Sequence, residues 1–109
     1  MAASQKLIRS LRKALRELAD PSKAPLMQAY MKSSMPYLGI PAEPFRKATK
    51  AVLAAYPLDS FEDWRDTALA LWRGARYREE RYAVIELAGY RSYEKFRTLD
   101  ALPLYEEMI

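Results

Sequence analysis

Apolar residues recur along this chain every three or four positions with polar residues between them, the spacing of helices that each bury one side. Leu7, Leu11, Ala14, Leu15 and Leu18 share one face of a segment from about residue 4 to 18, with Ile8 at its edge. Arg9, Arg12, Lys13 and Arg16 occupy the opposite face. Asp20-Pro21 closes this helix, because a residue before proline avoids helical backbone angles. A short helix over about 24–33 carries Met27, Tyr30 and Met31, and residues 35–40 form a loop punctuated by Pro36 and Gly39. The third helix is predicted from near Pro41 to Ala55, with Pro41 and Pro44 where a first turn tolerates a missing N–H. Its apolar side is Phe45, Ala48, Ala51, Val52 and Ala55, and Arg46, Lys47 and Lys50 gather on the other side.

Pro57 interrupts the pattern and Ser60, three residues before Asp63, caps a fourth helix. That helix carries a broad stripe of Phe61, Trp64, Ala68, Leu71 and Trp72 and ends at Gly74. A fifth, over about 77–90, is apolar around most of its circumference, as befits a helix packed between neighbours. A sixth begins near Asp100, which serves it as a cap, and is still periodic at Tyr105, Met108 and Ile109. With three glycines, no alternating β-branched run and no Asn-Gly or Asp-Gly turn, the chain reads as all-α. It is long enough for one domain: a capping region 1–40 followed by helix pairs at 41–74 and 77–109. Pairs spaced by roughly 35–45 residues suit an α-solenoid. Periodicity alone leaves an ordinary small helical bundle equally open.

Half the residues are hydrophobic and 29% are charged, a globular balance rather than a disordered one. No apolar run reaches membrane-spanning length and no secretory leader precedes the first helix, so a soluble cytoplasmic protein is expected. Cysteine and histidine are both absent. That excludes disulfides, thiolate nucleophiles, Ser-His triads and most zinc chemistry, so no metal and no cofactor are expected. The net charge of +4 is unevenly placed. Residues 1–54 hold ten Lys/Arg against three acids, whereas residues 55–109 hold eight against eleven. A basic half points to an acidic partner, nucleic acid first among them.

The stretch Tyr30-Met31-Lys32, then Met35-Pro36-Tyr37-Leu38-Gly39-Ile40, then Arg46-Lys47, resembles the motif near the start of DNA alkylation repair proteins of the AlkD type. Leu71-Trp72-Arg73 and Arg78-Glu79-Glu80-Arg81-Tyr82-Ala83-Val84 resemble a second stretch of the same family. Two departures stand out: Pro44 falls one residue later than the usual proline, and Lys47 replaces a common second arginine. The resemblance covers about residues 26–109. It implies a right-handed α-solenoid of HEAT-like antiparallel helix pairs, here an incomplete superhelix. It also implies a DNA glycosylase that hydrolyses the N-glycosidic bond of N3- or N7-alkylated purines in double-stranded DNA. In such proteins a carboxylate stabilises the oxocarbenium-like sugar as the cationic base departs. The Trp- and Asp-bearing segment that does so follows the equivalent of the last helix, so the expectation here is an N-terminal portion that binds DNA but is catalytically incomplete.

By that resemblance Tyr30 lies in the DNA cleft near the lesion with Lys32 beside it; a tyrosine packed between helices is the other reading. An aromatic face suits a cationic base. Arg46, Lys47 and Lys50, followed by Arg78 and Arg81, are candidates for a stripe along a phosphate backbone. They serve equally as a solvated face, with Glu43 placed to pair with Lys47. Trp64 and Trp72 belong to the core rather than to a stacking platform. Glu79-Glu80 and Glu106-Glu107 are poor acid–base pairs, since adjacent helical residues point about 100° apart. No catalytic residue is assigned. The alternative function is a non-enzymatic scaffold or interaction module, forming a homodimer through the open last helix at Tyr105, Met108 and Ile109.

Overall fold

In a computed structural model, which describes residues 3–109, the chain is all-helical. Helix α1 spans Gln5–Leu18, α2 Ala24–Tyr30, α3 Ala42–Ala55, α4 Phe61–Arg73, α5 Arg78–Ala88 and α6 Leu102–Met108. Two short 3-10 segments, Arg91–Phe96 and Leu99–Ala101, join α5 to α6.

Local chemistry sets most of the boundaries. The Ser4 hydroxyl accepts the Leu7 N–H at 3.3 Å to start α1, while its own N–H donates to the Thr67 hydroxyl at 2.9 Å, fixing α1 against α4. The Ser60 hydroxyl accepts the Asp63 N–H at 3.0 Å at the head of α4. Helix α2 stops at Tyr30, short of the expected residue 33. There Ser33 N–H bonds to Gln28 C=O and Lys32 N–H to Ala29 C=O, both at 3.1 Å, closing the helix through a left-handed residue. That residue is Lys32, with φ +51°.

The core forms where the large side chains of α1, α3, α4 and α5 meet. Helix α1 buries Leu7, Ile8, Leu11 and Leu15. Helix α3 turns Phe45, Thr49, Val52 and Leu53 inward, while Ala51 and Ala55 are exposed. The expected face was thus rotated: a leucine buries more area than an alanine and wins the inward position. Trp64 is fully buried and donates its indole N–H to Leu87 C=O at 3.1 Å, and Trp72 packs against the core. The segment Arg91–Phe96 escaped the periodicity. It carries Tyr93 and Phe96 inward, and the Tyr93 hydroxyl accepts the Leu58 N–H at 2.8 Å. Asp100 lies inside the second 3-10 segment, and Ala101, not Asp100, is the cap of α6.

Helix α1 packs most closely on α3, and α4 on α5. Helices α4 and α6 touch, as do α1 and α4, and α3 and α5. The result is one layer of α1, α4 and α6 over a second of α3 and α5, a stacking consistent with a HEAT-like solenoid.

Candidate nucleic-acid interface

The loop between α2 and α3 is tied to the first turn of α5. Arg78 N–H donates to Pro36 C=O at 2.9 Å. Glu79, buried beneath the loop, accepts the N–H groups of Leu38, Gly39 and Ile40 at 2.8, 3.0 and 3.2 Å. One residue before Leu38 and three after Glu79, Tyr37 and Tyr82 join their hydroxyls in a hydrogen bond. Burial pushes the Tyr37 phenol up to about 12, and the bond to Tyr82 adds to the shift. These contacts link residues about forty positions apart in the chain.

Two clefts open beside this junction, and Tyr82 lines both. The smaller, about 240 Å³, brings Lys32 and Arg78 together with Tyr37, Ser33 and Ser34. The Arg78 guanidinium lies 5.6 Å from the centre of the Tyr82 ring. The other, about 290 Å³, is walled by Met27, Ile40, Phe45 and Ile85, with Arg46 and Glu86 at its polar edge. An apolar, aromatic cleft beside a cationic one can hold a base and its phosphates at the same time.

The sequence matches, over residues 11–109, the model of a family described as DNA alkylation repair enzyme. The chain belongs to that family. Its membership carries a role in DNA repair and includes every residue that lines the two clefts. No curated protein matches the sequence. Among the described residues of this DNA alkylation repair protein, no helix is long and apolar enough to cross a membrane. None of their carboxylates cluster in threes as metal ligands would.

Each predicted contact residue of the repair protein now has a position. Tyr30 is 85% exposed at the end of α2, so it is not packed between helices. Lys32 and Arg78 meet in the smaller cleft and Arg46 lines the larger one. Lys47 and Lys50 are exposed beside Arg46 on the outer flank of α3, and no ion pair forms between Glu43 and Lys47 among the described residues. Arg81 stands apart: its guanidinium lies 4.4 Å over the Trp72 ring, and its Nε is buried without a partner.

Sequence reasoning assigned no role to Tyr37 or Tyr82, and it weighed Glu79 only as a poor acid–base candidate. The two tyrosines lie inside the quoted motifs, and Tyr82 follows directly on Arg81, which was the available signal. Glu79 and Glu80 do diverge, as adjacent helical residues must. Glu79 faces the loop, while Glu80 accepts the Arg76 and Tyr77 N–H groups at 2.7 and 3.0 Å and pairs with Arg12 at 2.9 Å. At the other end, Tyr105 and Met108 are half-buried against the core, which leaves Ile109 as the exposed member of that trio.

Proposed function

We propose that this DNA alkylation repair protein grips double-stranded DNA carrying an N3- or N7-alkylated purine along the face made by α2, α3 and α5. Lys32, Arg46, Lys47, Lys50 and Arg78 hold the phosphate backbone, Arg81 stays on Trp72, and Tyr30 meets the cationic base or its neighbours. The observation that supports this most is the convergence of Lys32, Arg78 and Arg46 on adjoining clefts that share Tyr82. Three cations from three elements on one aromatic wall match a backbone contact better than a scattered solvated face does.

In this reading the 109 residues position DNA and do not themselves break the N-glycosidic bond. Supporting that view, Glu79, which lines the apolar cleft, is 2% exposed and engaged by three backbone N–H groups. Three of the roughly four acceptor sites of that carboxylate are thus taken up in holding the loop. The decisive assay is release of 7-methylguanine from methylated duplex DNA by the purified chain, beside its Arg46→Ala/Lys50→Ala variant. Retention of the base with measurable, salt-sensitive duplex binding is the expected result. Release that disappears in the variant would show a complete glycosylase.

A second reading, a helical scaffold that self-associates, is favoured by exposed Leu99, Leu102 and Ile109 around the last helix. Sedimentation of the chain over a range of concentrations tests it, and a monomer throughout would end it.

A further inference from the structure

A third cleft, larger than the other two at about 680 Å³, lies between α1 and the turn joining α4 to α5. Its walls carry Arg9, Arg12, Lys13 and Arg16 from α1 and Arg76 from the turn, against the single carboxylate of Glu80. That carboxylate is already committed to Arg12 and to the Arg76 and Tyr77 amides. Arg12 also donates to Gly74 C=O at 3.3 Å, so it is held in the wall. Arg9, Lys13 and Arg16 are exposed, and none of them, nor Arg76, has an ion-pair partner among the described residues. Of the three clefts described, the largest is thus also the most cationic, with its one acid neutralised.

This cleft is separate from the first two. Leu38 lines it while Tyr37 lines the small cleft, and Glu80 lines it while Glu79 faces the loop. Consecutive residues of the same junction therefore open onto different sides of the molecule.

We propose that this cleft is a second DNA-backbone site, taking a stretch of phosphodiester that the α2–α3–α5 face does not contact. Arg9, Lys13 and Arg16 stand at i, i+4 and i+7, one stripe of a helix, and span about 10 Å of its axis. That matches about three nucleotide steps of a strand. Arg76 faces the stripe from across the cleft, so a strand entering it meets cations on both sides. A membrane surface fits less well. An interfacial helix inserts its apolar face, and here Leu7, Leu11 and Leu15 are fully buried in the core. The proposal shares with the reading above only the premise that DNA is the ligand, and the test separates the two.

The test compares three variants of the full chain for binding to a labelled, unmodified duplex between about 50 and 200 mM salt. Arg9→Gln/Lys13→Gln/Arg16→Gln removes the stripe and spares Arg12. Arg46→Gln/Lys47→Gln/Lys50→Gln removes the α3 cations. Arg91→Gln/Lys95→Gln/Arg97→Gln removes three exposed cations from the segment after α5, outside all three clefts. Circular dichroism and thermal melting confirm that each remains folded. The stripe variant is expected to lower the slope of log affinity on log salt by about 2 to 3, with the third variant unchanged. A fall in the stripe variant but not in the α3 variant would uphold this cleft and overturn the α3 face. The converse would overturn this cleft alone. Equal loss in the third variant, no binding by the parent chain, or stripe-dependent binding to phosphatidylserine vesicles in place of duplex would each overturn the proposal.

Discussion

Glu79 of α5 and Gly39 of the preceding loop are forty residues apart, yet the Glu79 carboxylate accepts the Gly39 N–H at 3.0 Å from a position 2% exposed to solvent. Leu38 and Ile40 donate to the same carboxylate, so one side chain satisfies three consecutive amides. Replacing Glu79 with alanine leaves those amides without partners at the junction that carries both clefts. A hydrogen bond to a charged group is worth about 1.5–3 kcal/mol, and orphaned buried donors add to the loss. Glu79→Ala is expected to destabilise the protein by about 3 kcal/mol or more, a fall in Tm of 10 °C or beyond for a chain near this size. Glu79→Gln keeps one acceptor and should fall between the two in urea or thermal melts. A Glu79→Ala protein as stable as the parent would refute this account of the loop.

Gly39 is also the position where backbone shape demands glycine. Its φ is +90°, and a Cβ there would strike the carbonyl oxygen of Asp20 and lie 2.9 Å from the Ala24 amide. Both obstacles are backbone. The Asp20 carbonyl in addition accepts the Lys23 and Ala24 N–H groups at the start of α2. Left-handed strain alone costs an L-residue about 1–2 kcal/mol. Gly39→Ala should therefore exceed about 2 kcal/mol in chemical denaturation and should loosen α2, read as faster proteolysis between residues 20 and 32.

The Tyr37–Tyr82 bond gives the junction a pH dependence. The Tyr37 phenol is raised from its ordinary value near 10 to about 12, burial being the larger cause and the Tyr82 bond the second. A folded-state value raised above the unfolded one means that stability is fully present below pH 10 and is lost as pH rises toward 12. Urea midpoints should hold between pH 7 and 9 and fall between about 10 and 12. Tyr37→Phe should flatten that alkaline fall while lowering stability modestly at neutral pH through loss of one hydrogen bond. An unchanged alkaline profile in the variant would show that another group carries it.

Helix positions were legible because their causes are local: Ser4 and Ser60 accept amides within their own first turns, and the residues before Pro21 and Pro57 lie outside helices. What stayed hidden is settled by partners far along the chain. Arg91–Phe96 looks polar, but the Tyr93 hydroxyl is needed by the Leu58 amide and its ring stacks on Phe96 at 5.7 Å. The inward face of α3 depends on which side α1 covers, and the alanines of its sequence carry little signal either way. For the candidate interface, the motif named Lys32, Arg46 and Arg78, but nothing in their spacing shows that Tyr82 would join their clefts. Nor could the sequence show that Arg81 would lie over Trp72.

The end of α2 offers the sharpest separation of binding from stability. Lys32 occupies the left-handed position of a helix-terminating motif that ordinarily takes glycine, with φ +51°, while its side chain lines the smaller cleft with Arg78. The backbone would be better served by glycine, by about 1 kcal/mol. A strained residue retained beside a cleft is the pattern expected where function and stability compete. Lys32→Gly should therefore raise Tm by about 4–8 °C while weakening duplex binding and lowering its salt slope by about 1. Lys32→Gln should show the same binding loss without the gain in Tm, because it keeps the Cβ that causes the strain. Binding that survives both substitutions would remove Lys32 from the interface, whatever happens to stability.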